Sequence, residues 1–229
     1  MIPFYYFYTP DYEFWHNHLS KTLSSVFDVQ PISIEKINLS NISHHFLNVT
    51  IKIELIVDCI KKNMNNSILF TDATIFINKD NIQLLQNYID EKINTDKDIY
   101  FVYCKQDPIN IGVILLKCNE KTLTFWEKVL EIMNGTIKNG HNVWDQGVVN
   151  NLLIHQKYPI DYDYFDIDKI WCGGKIPKER TNNFFIYKSG VDPRSNRQLT
   201  RLTYLYDTDL ITKDEFDFWI AQSIQHDSK

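Results

Sequence analysis

Short apolar runs alternate along this chain with segments whose apolar residues recur every three to four positions. Phe4 to Tyr8 reads as a first strand. Trp15, Leu19, Leu23 and Val26 follow at helical spacing, and Pro31 to Ile34 reads as a second strand. From Thr50 to Lys62 a helix carries Ile51, Leu55, Ile56 and Cys59 on one face, with Lys52 near its start, until Asn65-Asn66 breaks it. Ser67 to Thr71 is a buried strand ending in Asp72, and Ile75-Phe76-Ile77 precedes a helix bearing Leu85, Tyr88 and Ile89. Further strands are expected over Ile99 to Tyr103 and Ile111 to Leu116. Leu123, Trp126, Leu130 and Met133 form the stripe of the next helix, with Gly135 and Gly140 in the loop after it. Trp144-Asp145-Gln146 opens a helix through Val148, Val149, Leu152 and Leu153, for which Asp145 is the expected N-cap. Beyond Pro159 come a looser strand-like stretch, the loop Cys172-Gly173-Gly174-Lys175 and a last strand over Phe184 to Tyr187. Thr212 to Glu215 has the form of a capping box for a helix faced by Phe216, Trp219 and Ile220.

This alternation predicts an α/β fold with a mostly parallel central sheet flanked by helices. No repeat or low-complexity linker divides the 229 residues. Residues 1–190 therefore read as one unit, and 191–229 as a C-terminal loop and helix packed on it. Composition narrows the class of partner. A net charge of −5 without a basic stripe excludes nucleic acid as the expected partner, leaving room for a small anion held by a few cations. The cysteines Cys59, Cys104, Cys118 and Cys172 form no C-x-x-C pair, which fits free thiols in a reducing compartment. With no apolar window of about 20 residues and no basic, cleavable leader, the expectation is a cytoplasmic protein without a membrane span.

The chemistry begins at Asp72, a carboxylate placed where an apolar strand ends, which is where open α/β sheets bind ligands. Asp72-Ala73-Thr74, then Asn110-Ile111-Gly112-Val113 at a strand start, then Asp145-Gln146 opening a helix with Val148-Val149-Asn150 follow in order. This series resembles the GT-A nucleotide-diphospho-sugar transferases, including the glycogenin group, over roughly Phe4 to Tyr187. The resemblance implies a GT-A, Rossmann-like fold and transfer of a sugar from a nucleotide-diphosphate donor, most often a UDP-sugar. The acceptor is then a hydroxyl of a glycan, a protein or a small molecule.

Carried over position by position, the resemblance implies that Asp72 meets the ribose and the metal, with Tyr8, Thr9 and Tyr12 near the base. Asn110 and Gly112 would face the donor sugar, and Lys52 would reach a phosphate. Asp145 and Gln146 would serve catalysis, binding hydroxyls of the transferred sugar or of the acceptor. The family pattern holds Mn2+ or Mg2+ on two acidic residues and a later histidine. Here Thr74 stands in the second position and Tyr187 or Lys188 in the third, so the metal requirement stays open. Lys188, with Arg194 or Arg197 nearby, is the expected substitute for part of the cation's charge. Two rival readings remain: a non-catalytic domain that binds a nucleotide sugar, and a phosphohydrolase of the haloacid-dehalogenase type. The latter also begins at a strand ending in Asp, but it usually carries a second Asp where Thr74 stands. His44-His45 and the series Asp161, Asp163, Asp166, Asp168 read as polar surface.

Overall fold

In the computed structural model, residues 1–34, 44–105, 107–173, 184–189 and 197–227 are described below. Six strands make the central sheet: β1 (Pro3–Tyr8), β2 (Asp28–Ser33), β3 (Ser67–Asp72), β5 (Ile99–Tyr103), β6 (Ile109–Lys117) and β7 (Tyr162–Tyr164), in the order β2-β1-β3-β6-β5-β7. β1 pairs parallel with β2 and β3, and β5 parallel with β7, whereas β6 runs antiparallel to both of its neighbours. The sheet is thus mostly parallel, as expected, with one reversed strand in the middle. A second sheet, β4-β9-β8, is built from β4 (Phe76–Ile77), β8 (Ile170–Gly173) and β9 (Ile186–Ser189).

Apolar residues point to both faces of β3, which is why it reads as a continuous hydrophobic run. Ile68 and Phe70 meet Ile53, Ile56 and Ile60 of α2 (His44–Lys62), with α4 (Glu120–Lys138) and α5 (Asp145–Asn150) in the same layer. Leu69 faces the opposite layer, where Leu19 and Leu23 of α1 (Glu13–Leu23) join Leu85 and Ile89 of α3 (Ile82–Ile93). α1 and α2 therefore cover opposite faces, and the chain order reverses between β1 and β3. A crevice forms at such a reversal, at the carboxyl ends of the strands. A third apolar cluster joins Trp15, Phe76 and Phe184 to Leu202 and Leu205 of α6 (Arg197–Asp207) and to Ile211 before α7 (Lys213–Asp227). That cluster holds the C-terminal helices against α1 and β4.

Several boundaries differ from the periodicity. α2 begins at His44, six residues before the apolar stripe becomes regular, and α4 runs on through Gly135 to Lys138. Gly140 does lie in the following turn, at φ 77°. Asp145 is the first helical residue rather than the N-cap, a place that Trp144 takes with extended backbone. The capping box is present: Thr212 N–H donates to Glu215 Oε2 at 2.9 Å and Glu215 N–H to Thr212 Oγ1 at 3.2 Å. Trp126 is fully buried core, while the Trp219 side chain lies outside the described residues. Burial pushes the Cys59 and Cys118 thiols up to about 12, which suits inert packing groups. Asp161 meets Lys121 at 2.8 Å and Asp166 meets Lys92 at 3.5 Å, both acids on the surface. No described helix is long and apolar enough to cross a membrane.

Candidate functional site

Strand direction gathers the candidate residues at one edge of the sheet. β1, β3 and β5 end there at Tyr8, Asp72 and Tyr103, and the reversed β6 begins there with Ile109 and Asn110. Asp72 follows Phe70 on the face covered by α2, so its carboxylate meets that helix. Lys52 Nζ donates to Asp72 Oδ1 at 2.8 Å and stands 3.9 Å from Asp145 Oδ2. The lysine side chain is only 7% exposed and that of Asp145 only 8%, against 27% for Asp72. One ammonium is therefore enclosed between two carboxylates, from β3 and α5. Burial pulls the Lys52 pKa down, but Asp72 and Asp145 outweigh it and hold the ammonium above the ordinary lysine value. One cation for two carboxylates leaves the trio with net negative charge.

Two amides position α5. The Asn150 side chain donates to Ile109 O at 2.7 Å and accepts from Ile109 N–H at 3.1 Å, which clamps the helix to the first residue of β6. Gln146 Nε2 donates to Asp107 Oδ2 at 3.0 Å, and Gln146 N–H donates to Asp145 Oδ1 at 2.8 Å. Asn150 belongs to the motif quoted from the sequence but is given no role there, and nothing in the sequence pattern singles out Asp107. Asn150 lies one turn beyond Gln146, on the same side of the helix, and that spacing is the available signal.

Asn110 and Gly112 lie in a bulge. β5 pairs Phe101 with Ile114 but Val102 with Asn110, so residues 111–113 of β6 have no β5 partner. Asn110 Oδ1 accepts from Gly112 N–H at 2.9 Å, satisfying an amide that the bulge would leave unpaired. Because Thr71 pairs with Val113, continuing that register sets Gly112 opposite Asp72. The bulge thus lies beside the strand end that carries the carboxylate.

The aromatic candidates separate. Tyr8 is half-buried and stacks on His16 at 4.3 Å with an interplanar angle of 3°. Thr9 is buried, and its carbonyl accepts from Tyr12 N–H at 2.8 Å. Tyr12 instead packs on the third cluster with Trp15 and Phe76. Lys188 lies in β9, beside Cys172 of β8 and one residue beyond the Tyr187–Phe76 pair, so its backbone runs close to Thr74. The side chains of Lys188, Arg197, His44 and His45, and Arg194 as a whole, lie outside the described residues.

The donor set fits a divalent cation poorly. Asp72 already spends one oxygen on Lys52, and Thr74 brings a hydroxyl without charge to a class of ion that prefers charged oxygen ligands. Among the described residues no group of three His, Cys, Asp or Glu side chains is placed to hold a metal ion.

The model of a nucleotide-diphospho-sugar transferase family matches residues 40–187. Among solved structures, the chain is similar to a glycosyltransferase involved in glycosylation of the major capsid of PBCV-1, with a TM-score of 0.63 and 17% identity over 86% of this chain and 96% of that one. It is also similar to the glycosyltransferase GlyE of Streptococcus pneumoniae TIGR4, with a TM-score of 0.54 and 13% identity over 97% of this chain and 63% of that one. A third similar structure is the galactosyltransferase LgtC, solved with donor and acceptor sugar analogues, at 0.52 and 12% over 96% and 100%. Identities this low speak for a shared fold. No curated protein matches the sequence.

Proposed function

Since the chain belongs to the nucleotide-diphospho-sugar transferase family, whose reaction is glycosyl transfer from a nucleotide sugar, we propose that Lys52, Asp72 and Asp145 form the floor of its donor site. The observation that carries this reading is the ammonium enclosed between two carboxylates at the carboxyl edge of the sheet. In the reaction the bond from the anomeric carbon to the diphosphate oxygen breaks and the nucleoside diphosphate leaves with the electron pair. The acceptor oxygen bonds to the same carbon and its proton passes to solvent. Asp145, fixed by Lys52 and by the Gln146 amide, is suited to hold hydroxyls of the sugar and to stabilise positive charge building on its ring. Asn110 and Gly112 present backbone at the same edge, and Tyr8 and Thr9 stand at its β1 side. Within this reading the donor is a UDP-sugar and the acceptor a hydroxyl compound.

The diphosphate needs positive charge that the trio does not supply. Lys52 is already committed to Asp72 and Asp145, and Asp72 with Thr74 makes a poor seat for Mn2+ or Mg2+. Lys188 therefore takes the larger part of this electrostatic task, its strand running beside the turn that carries Thr74. A panel of nucleotide sugars, each with Mn2+, with Mg2+ and after exhaustive chelation, tests this by nucleotide release. Release of UDP that survives chelation and falls at least 100-fold in Lys188→Ala is the expected result. Full metal dependence with Lys188→Ala within twofold of wild type removes the lysine's role. Binding seen as thermal stabilisation without any release would make the domain a non-catalytic binder.

A further inference from the structure

The first two residues of α5 reach to opposite sides of one strand. Asp145 Oδ2 stands 3.9 Å from Lys52, which is bonded to Asp72 at the end of β3. Gln146 Nε2 instead donates to Asp107 Oδ2 at 3.0 Å, in the turn between β5 and β6. In the sheet β6 lies between β3 and β5, so the opening of α5 spans the carboxyl edge across the start of β6, where Asn110 lies. Gln146 is thereby placed at the same edge as the trio, one residue from the buried carboxylate of Asp145.

The bond to Asp107 also decides which end of the amide is spent. A carboxylate only accepts, so the nitrogen of Gln146 turns to Asp107 and the oxygen is the end left over. Among the described residues none donates to Gln146 Oε1. Both partners are held in place independently of this bond. Cys104 N–H donates to Pro108 O at 3.3 Å and Tyr103 pairs with Ile109, closing the β5–β6 turn, while Pro108 disfavours helical backbone at Asp107. On the helix side, the Asn150 side chain that clamps Ile109 also donates to Gln146 O at 2.8 Å. Because Asn150 already joins the two backbones, the exposed Asp107 carboxylate is left to set the side-chain amide.

We propose that Asp107 is a positioning residue of the transfer site, which takes up the nitrogen of the Gln146 amide and so reserves Oε1 to accept a hydrogen bond from a substrate hydroxyl. A hydroxyl can donate or accept, and an amide fixed by its nitrogen selects the orientation in which the hydroxyl donates. The gain is one of orientation. Asp107 acts through Gln146 and touches no substrate itself. This inference rests on the donor-site reading above and adds to it the part taken by the Gln146 side chain.

The test uses the whole chain with UDP-glucose, UDP-galactose and UDP-N-acetylglucosamine, read by UDP release, and with UDP alone, read by thermal stabilisation. Asp107→Ala is expected to lower kcat/KM at least tenfold, while affinity for UDP moves less than twofold and Tm falls by less than about 2 °C. In a Gln146→Ala background, which has no amide to orient, the same substitution is expected to cost less than twofold. Where release is too slow to read, in Gln146→Ala or in wild type itself, the same cycle is read on affinity for the UDP-sugar relative to UDP. An equal loss in both backgrounds overturns the proposal, as does an Asp107→Ala protein that matches wild type or loses UDP affinity in step with turnover. Those results leave the donor-site reading standing. A wild type that neither binds nor consumes a nucleotide sugar sinks that reading, and the proposal falls with it.

Discussion

The two ends of the central sheet are both rich in polar side chains, yet they use them differently. At the amino edge, where β1 and β3 begin and β6 ends, a shallow cavity is lined by Asn63, Asn65, Asn66, Asn94 and Asn119. Those amides that bond meet nearby backbone, with Asn63 also donating to Tyr5 OH at 3.0 Å and Asn119 to Asp98 Oδ1 at 3.3 Å. Asn63 donates to Cys59 O at 2.8 Å, Asn94 donates to Asp90 O at 2.8 Å, and Asn119 caps α4 by accepting from Thr122 N–H at 2.9 Å. At the carboxyl edge, side chains from α2, β3 and α5 bind one another, Lys52 meeting Asp72 at 2.8 Å and Asp145 at 3.9 Å. Polar residues that terminate helices complete the fold. The amino edge has its own lysine between two carboxylates, Lys121 with Asp98 and Asp161, but that ammonium is 43% exposed whereas Lys52 is 7% exposed; a cation enclosed among acids where burial penalises charge points to a ligand or a reaction.

The largest test of this contrast is Lys52→Ala. Removing the ammonium takes away the buried cation that two carboxylates share, and breaking such a pairing costs about 3–5 kcal/mol. Urea unfolding is expected to show that loss, with nucleotide release falling below detection. Lys52→Ala combined with Asp145→Asn should recover part of the stability without restoring turnover, because one of the two carboxylate charges is gone. A Lys52→Ala protein as stable and active as wild type would leave the carboxyl edge no different in kind from the amino edge.

Much of this contrast is legible in the order of residues alone, and the missing part has a physical cause. Apolar runs mark the strands because β3, β5 and β6 are buried on both faces, and Asp72 stands out as a charge closing such a run. Strand direction is not legible, since an apolar run reads the same way in either direction, and so nothing in the pattern shows β6 returning Asn110 to the edge where β3 ends. The setting of Lys52 is readable in principle. It precedes Ile56 by one helical turn and Cys59 by two, which places it on the buried stripe of α2, where only a carboxylate partner keeps an ammonium charged. Which carboxylates those are depends on chain pairing across the fold, and spacing along one helix carries no record of that.

His18 sharpens the comparison with a buried titratable group outside both edges. It stacks on Phe76 at 5.3 Å, at the cluster that seats the C-terminal helices, where the charges of Glu215 and Lys79 act on it. Burial drives its pKa down to about 4, Glu215 opposing and Lys79 adding to the shift. The unfolded chain takes up a proton below about pH 6.5, while the folded one resists until about 4. Stability is therefore complete above that window and falls as pH drops through it, by up to roughly 3 kcal/mol. Urea midpoints at pH 7.0, 5.5 and 4.5 should show this slope in wild type and a flatter one in His18→Phe. Equal slopes would mean that acid unfolding starts elsewhere.

The smallest effect bears most directly on the amino edge. Asn119→Ala removes the side chain that caps α4 while leaving Thr122 Oγ1 to accept from the residue 119 N–H, as it now does at 3.1 Å. Loss of such a cap costs about 1 kcal/mol, a fall of roughly 2–4 °C in Tm for a chain of this size. Turnover and donor KM should stay within twofold of wild type, because no charge at the opposite edge depends on that amide. A tenfold loss of turnover with the same small change in Tm would break the comparison: the asparagine-lined cavity would then take part in the reaction, and polar residues tied to their own backbone could no longer be set apart from those that meet a substrate.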